Sequence, residues 1–175
     1  RLLALGVALI AATSGCNRNA NDAPLAVSVI GSAPRVVDAN QVQPRPADLV
    51  VMGAVRQGLV RYDAAGQIEA GLAMRWAISD DGLYYTFRLE RSEAELVARK
   101  LCAMIARSSR NPLKPVLGGI DEIVAVTPEV VEIRLHGARP NLLDLLAQPE
   151  MGLDLGKDRN LPFMLASTAD AVPLR

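Results

Sequence analysis

The period of hydrophobic and polar positions changes several times along this chain, and each change marks an element. From Gly58 to Leu89 (GLVRYDAAGQIEAGLAMRWAISDDGLYYTFRL) the period is two. Gly58–Tyr62, Trp76–Ser79 and Tyr84–Leu89 read as three short strands, because successive side chains on a strand point to opposite faces. Asp63-Ala64-Ala65-Gly66 and Asp80-Asp81-Gly82 separate them, each ending in a glycine that accepts positive φ. Asp-Gly between two alternating runs is a strong local hairpin signal. Five of the six aromatic residues of the chain (Tyr62, Trp76, Tyr84, Tyr85 and Phe87) fall in this stretch, which predicts a core centred on it.

On either side the pattern alternates between helical and extended. Leu25–Ile30 (LAVSVI) reads as a strand, and Pro34, Pro44 and Pro46 exclude a long element in the stretch that follows. Ala47–Gln57 has helical spacing, with Gly58 placed to end the helix at C′. Ser92-Glu93-Ala94-Glu95 fits a capping box opening a helix over Ser92–Ser108. Val97, Leu101, Met104, Ile105 and Ser108 share one face of that helix, so it should pack on a sheet. Arg99, Lys100, Arg107 and Arg110 lie mostly elsewhere and read as a solvated face. Asn111-Pro112, Pro115 and Gly118-Gly119 form a loop. Ile120–Val126 and Val130–Leu135 form a second hairpin around Thr127-Pro128-Glu129, with Val131, Ile133 and Leu135 inward. Asn141 is placed to cap a helix over Pro140–Ala147, and periodicity is lost from Glu150 onward. These elements predict an α/β fold in which the Gly58–Leu89 strands and the Ile120–Leu135 hairpin share one mostly antiparallel sheet with packed helices.

The N-terminal pattern is of another kind. Arg1 precedes an eleven-residue apolar run, Leu2–Ala12, which is too short to span a bilayer and fits the h-region of a secretory signal. Thr13-Ser14-Gly15-Cys16 follows and resembles the bacterial lipobox, although Leu is usual where Thr13 stands. The expectation is a lipoprotein signal peptide over 1–16, lipid attachment at Cys16, and a polar tether over 17–24 (NRNANDAP). The start at Arg rather than Met implies residues upstream. Two cysteines make no disulfide framework. With Cys16 acylated, Cys102 is left unpaired, and its apolar neighbours suggest a buried, inert thiol.

Composition narrows the function classes. The 175 residues carry 19 basic and 19 acidic side chains, so the basic excess of a nucleic-acid binder is missing. His136 is the single histidine and lies at the polar phase of a strand end, a poor base for a catalytic triad. Neither a Gly-x-Ser-x-Gly elbow nor a phosphate loop occurs. Asp80-Asp81, Asp121-Glu122 and Asp154/Asp158 fit turns and solvated faces better than the three or more converging ligands of a metal site. The expectation is a non-enzymatic protein without cofactor or metal.

The wording of the organising stretch adds a family. Gly58, Leu59, Val60, Arg61, Tyr62, Asp63, Gly66, Ile68, Leu72, Ala73, Trp76, Ser79, Asp81, Gly82, Tyr85, Thr86, Phe87 and Leu89 stand in one register with a signature of bacterial extracellular solute-binding proteins. That signature belongs to solute-binding family 5, the oligopeptide and dipeptide type. Val36-Val37-Asp38-Ala39 resembles an earlier family step, and Pro140–Ala147 the end of a later one. The resemblance covers roughly 25–149, with one gap: after Leu89-Glu90-Arg91 the family's second aromatic-Asp-Gly turn is missing. It implies a partial periplasmic-binding-protein-like fold of class II type. It further implies that 25–149 is the N-terminal part of a solute-binding domain and 150–175 an irregular tail, the whole an N-terminal fragment. The function implied is that of the substrate-binding component of an ABC importer. It would take a peptide or another small solute in the periplasm, hold to the membrane by its lipid, and deliver to an inner-membrane permease. The resemblance assigns no ligand-binding residue. The alternative is a small lipid-anchored envelope scaffold, or a truncated remnant, with no transported ligand.

Overall fold

A computed structural model of the chain describes residues 30–155. The signal-peptide, Cys16 and tether assignments, and all of the first strand except Ile30, lie outside the described residues.

Helix α1 (Pro46–Val55) starts with proline at N1, where φ is already helical and no N–H is needed. It ends as the Arg56 backbone becomes extended while the Arg56 N–H still donates to Met52 O at 2.9 Å. Gly58 is therefore not the C′ residue. It is glycine because a Cβ there would meet Leu146 O at 2.8 Å and Val60 O at 2.9 Å.

Strands β1 (Val60–Tyr62) and β2 (Ile68–Ala70) pair antiparallel, with Val60 opposite Ala70 and Tyr62 opposite Ile68. Their turn is built as its residues dictate: Gly66 takes φ 78°, and Asp63 Oδ1 accepts from the Ala65 and Gln67 N–H groups, each at 2.8 Å. β3 (Ala73–Ile78) and β4 (Tyr84–Leu89) form the Asp-Gly hairpin, with Gly82 at φ 69°. β5 (Ile120–Thr127) and β6 (Val130–Leu135) form the second hairpin. The two hairpins join through β4 and β6 into one antiparallel sheet of order β3-β4-β6-β5.

The expectation of a single sheet therefore needs correcting at its start. β1 belongs with β2 in a separate two-stranded ribbon, and β2 is a strand the alternation did not reveal. The chain crosses from ribbon to sheet at Gly71, where a Cβ would lie 2.5 Å from Gly58 O. The Leu72 and Ala73 N–H groups donate there to the carbonyls of Gly58 and Leu59 at 2.9 and 3.0 Å.

Register explains the core. Tyr85 stands opposite Ile133, which stands opposite Ile123, and Phe87 stands opposite Val131. All five are buried in one cluster. Helix α2 (Ala94–Ile105) lies over β5 and β6, burying Val97, Leu101 and Met104, with Ile105 partly buried against the same cluster. This is the face its 3.6-residue spacing predicted. Its first turn differs from the capping box. The N-cap is Glu93, without a side-chain cap, and Ser92 lies outside. The Ala94 N–H donates instead to Pro128 O at 2.9 Å, so a carbonyl of the β5–β6 turn satisfies an orphan donor that a hydroxyl would otherwise take. The helix ends at Ile105, short of Ser108.

Cys102 also departs from expectation: it is exposed, on the flank of α2 rather than its core face. Its Sγ lies 3.7 Å from Ile123 O, and partial desolvation pushes its pKa up, which disfavours the reactive thiolate.

The remaining helices close the other end of the core. α3 (Lys114–Leu117) adds a short turn within the predicted loop and buries Leu117. α4 (Leu142–Leu146) follows Asn141, whose side chain makes no capping bond. After a 3-10 turn at Pro149–Met151, Leu153 forms an antiparallel bridge with Gln57. Met151 and Leu153 are both buried, so the beginning of the stretch read as irregular tail is packed into the core.

Candidate functional site

The most prominent polar feature among the described residues is one that sequence reasoning missed. Asp48 sits at the third position of α1 and is fully buried (0% exposed). Its carboxylate collects both ends of the segment preceding the helix. Oδ1 accepts from the Arg35 N–H at 2.8 Å and from Arg45 Nη2 at 2.7 Å. Oδ2 accepts from the Arg45 N–H at 3.0 Å and from Arg45 Nε at 2.9 Å. The Arg45 guanidinium thus meets the carboxylate two-pronged, and it also donates to Ser32 Oγ and, at 2.9 Å, to Ala33 O. The hydrogen bond from the Arg45 side chain, reinforced by the two backbone N–H groups, holds the Asp48 carboxyl well below the usual carboxylate range despite burial. The signal in the sequence is small: one acid in the first turn of an otherwise apolar helix, PADLVVMGAV.

A polar cleft of about 120 Å³ opens where the ribbon meets the start of α2, lined by Gln57, Gly71, Leu72, Glu90, Arg91 and Glu93 among others. Its volume is well below the roughly 300–1,000 Å³ of a typical small-molecule site. A second buried polar knot surrounds Asn111. Its Nδ2 donates to Glu150 O at 3.1 Å, its Oδ1 accepts from the Leu113 N–H at 3.0 Å, and its own N–H donates to Ser109 Oγ at 3.1 Å. Those bonds fasten the loop after α2 to the 3-10 turn.

The residues weighed for chemistry are not brought together. His136 Nε2 lies 3.3 Å from Asp121 Oδ1, but both side chains are exposed and this pair stands at one edge of the sheet. Glu122 pairs with Arg134, which also holds Glu132 at 2.8 Å, on the outer face. Asp81 is a turn residue: Oδ1 accepts from Ser79 Oγ at 2.5 Å and from the Leu83 N–H at 3.0 Å, which lowers its pKa. Asp158, like Cys16, lies outside the described residues. Among the described residues no group of three or more His, Cys, Asp or Glu side chains is arranged to hold a metal ion. No helix among them is long and apolar enough to cross a membrane.

No family model and no curated protein matches the chain. Solved structures do. NikZ from Campylobacter jejuni, in complex with Ni(L-His), superposes with a TM-score of 0.59 at 24% identity, covering 75% of this chain and 28% of that one. A periplasmic oligopeptide-binding protein of an oligopeptide ABC transporter from Borrelia burgdorferi gives 0.57 at 24%, covering 70% and 30%. OppA from Haemophilus influenzae, in complex with RPPGFSPFR, gives 0.60 at 16%, covering 70% and 29%. The chain spans less than a third of the length of each. The likeness agrees with the resemblance carried by Gly58–Leu89 and extends it to the fold: the described chain has, in part, the α/β architecture of the periplasmic binding proteins.

Proposed function

We propose that this chain is the N-terminal part of the solute-binding component of an ABC importer, whose cargo is a peptide or a comparable small solute. The observation that supports the reading is the four-stranded β3-β4-β6-β5 sheet with α2 across it, which has the fold of proteins whose bound solutes are peptides and a nickel chelate. In this reading Cys16 carries the lipid, the tether 17–24 spaces the folded body from the membrane, and a permease in the inner membrane receives the solute.

The cleft of about 120 Å³ is too small to enclose a peptide. Calorimetry of the 175-residue chain against mixed tri- to pentapeptides should therefore give no saturable heat. The protein purified from the membrane fraction of its own cells should carry a modified Cys16, and Cys16→Ala should release it to the soluble fraction. In that native form it should bind peptides or small chelates with saturation. An unmodified protein that keeps Leu2–Ala12 in the cytosol would remove the importer reading. Micromolar binding by the 175-residue chain would put the site within these residues instead.

A further inference from the structure

The segment from Ser32 to Arg45 has the construction of a strap. It contains no regular element, and it enters through Gly31, whose φ of 113° suits glycine and around which a Cβ would meet nothing within 4 Å. Its two ends return to one point. Arg35 and Arg45 donate their N–H groups to opposite oxygens of Asp48, and the Arg45 guanidinium spans from that carboxylate to Ser32 and Ala33. Between the ends the contacts are fewer and mostly uncharged. Ala39 is buried, the Arg110 N–H donates to Asn40 O at 2.8 Å, and Arg56 Nη1 donates to Val37 O at 2.8 Å. Within the strap, Asp38 serves its own turn, accepting from the Asn40 N–H at 2.9 Å.

We propose that the two ends of the Ser32–Arg45 strap are latched to α1 through the carboxylate of Asp48, and that opening this latch frees the Ser32–Arg35 end from α1 while the β3-β4-β6-β5 sheet stays folded. Two physical facts carry this. The fastening is polar and converges on one side chain, so losing that side chain's charge releases both ends at once. The sheet and α2 are held by apolar burial in a cluster that includes no strap residue, so their integrity does not depend on the latch. The charged groups facing Asp48 are Arg45 and Arg35, whose guanidinium stands 3.9 Å away and is mostly exposed.

Native-state trypsin cleavage after Arg35, followed by mass spectrometry of fragments beginning at Val36, reads the open population when opening is fast relative to cleavage. Asp48→Asn should raise that rate by about tenfold or more, because the amide keeps one acceptor oxygen and sets an NH2 donor against the N–H groups on the other side. Arg45→Lys, which keeps the charge but loses the two-pronged contact, should give a smaller rise. Ile133→Val, which weakens the sheet and leaves the latch intact, should leave the Arg35 rate within about twofold of wild type when the sheet remains folded. A rate for Asp48→Asn equal to wild type, or an Ile133→Val rate equal to that of Asp48→Asn, overturns the latch. Should Asp48→Asn fail to fold, the excess of Arg45→Lys over Ile133→Val decides the same question, and no excess overturns it.

Discussion

Two regions of this molecule are held by opposite means. In the sheet, Tyr85, Phe87, Ile123, Val131 and Ile133 line up across three strands and are sealed by Val97, Leu101 and Met104 of α2. Each such side chain contributes roughly 1.5–3 kcal/mol by leaving water, without demanding a particular direction of approach. The strap and α1 invert this. α1 is apolar nearly all round, yet only Met52 and Asp48 are fully buried, and Val50 is 57% exposed. What fastens the two ends of the strap to α1 is a directional set of bonds to one ion. A core of the first kind yields to lost volume, whereas the second yields to a lost charge.

The largest effect should come from volume. Phe87→Ala, at a fully buried central position, should cost about 3–5 kcal/mol in denaturant unfolding and lower the sheet and α2 signals together. A loss under about 1 kcal/mol would mean that the sheet is not built around Phe87.

Acid should sharpen the contrast. The folded Asp48 carboxyl titrates below its unfolded value of about 3.9, so the unfolded or open strap takes up the proton first. Its contribution is whole above about pH 4 and is lost as pH falls toward the folded pKa. Hydrogen exchange at the Arg35 and Arg45 amides, corrected for intrinsic rates, should therefore rise below that pH in wild type and stay flat in Asp48→Asn. A parallel rise in both would assign the acid response to another carboxylate.

Gly66→Ala should be smaller and local. At φ 78° with open space around it, the cost is backbone strain of about 1–2 kcal/mol, read as faster exchange in the β1–β2 ribbon with the sheet unchanged. Smallest of all, Glu122→Gln removes an exposed partner of Arg134, which keeps Glu132. The change should be at most about 1 kcal/mol and vanish in molar salt.

The elements written in strict period were legible. Val131/Ile133/Leu135 at period two and Val97/Leu101/Met104 at 3.6 predicted which faces are buried, and both hairpins fall in one sheet as expected. What escaped is what depends on distant partners. β2 is three residues long and owes its strand state to Val60–Tyr62 across the turn. Ser92 lost its capping role to a carbonyl more than thirty residues away, Pro128 O. Cys102 sits among apolar neighbours in sequence, but its helical angle turns it out of the α2 core face. Asp48 reads as an ordinary first-turn acid until Arg35 and Arg45 are seen closing on it. A solute site was not legible in the sequence, and the candidate residues do not assemble one among the described residues.

The pairing of β4 with β6 also imposes an order in time. Each hairpin closes around its own short turn, an event of microseconds. The bond between the hairpins must wait until about forty residues, from the end of β4 to the start of β6, have emerged and folded back. Until then one edge of β4 is an open template with Tyr85 and Phe87 beside it, and a chain handed out slowly from one end holds that template open longest. Holding the chain with its emerged end between Leu89 and Val130 should therefore cost soluble yield, whereas the same hold once Leu135 has emerged should not.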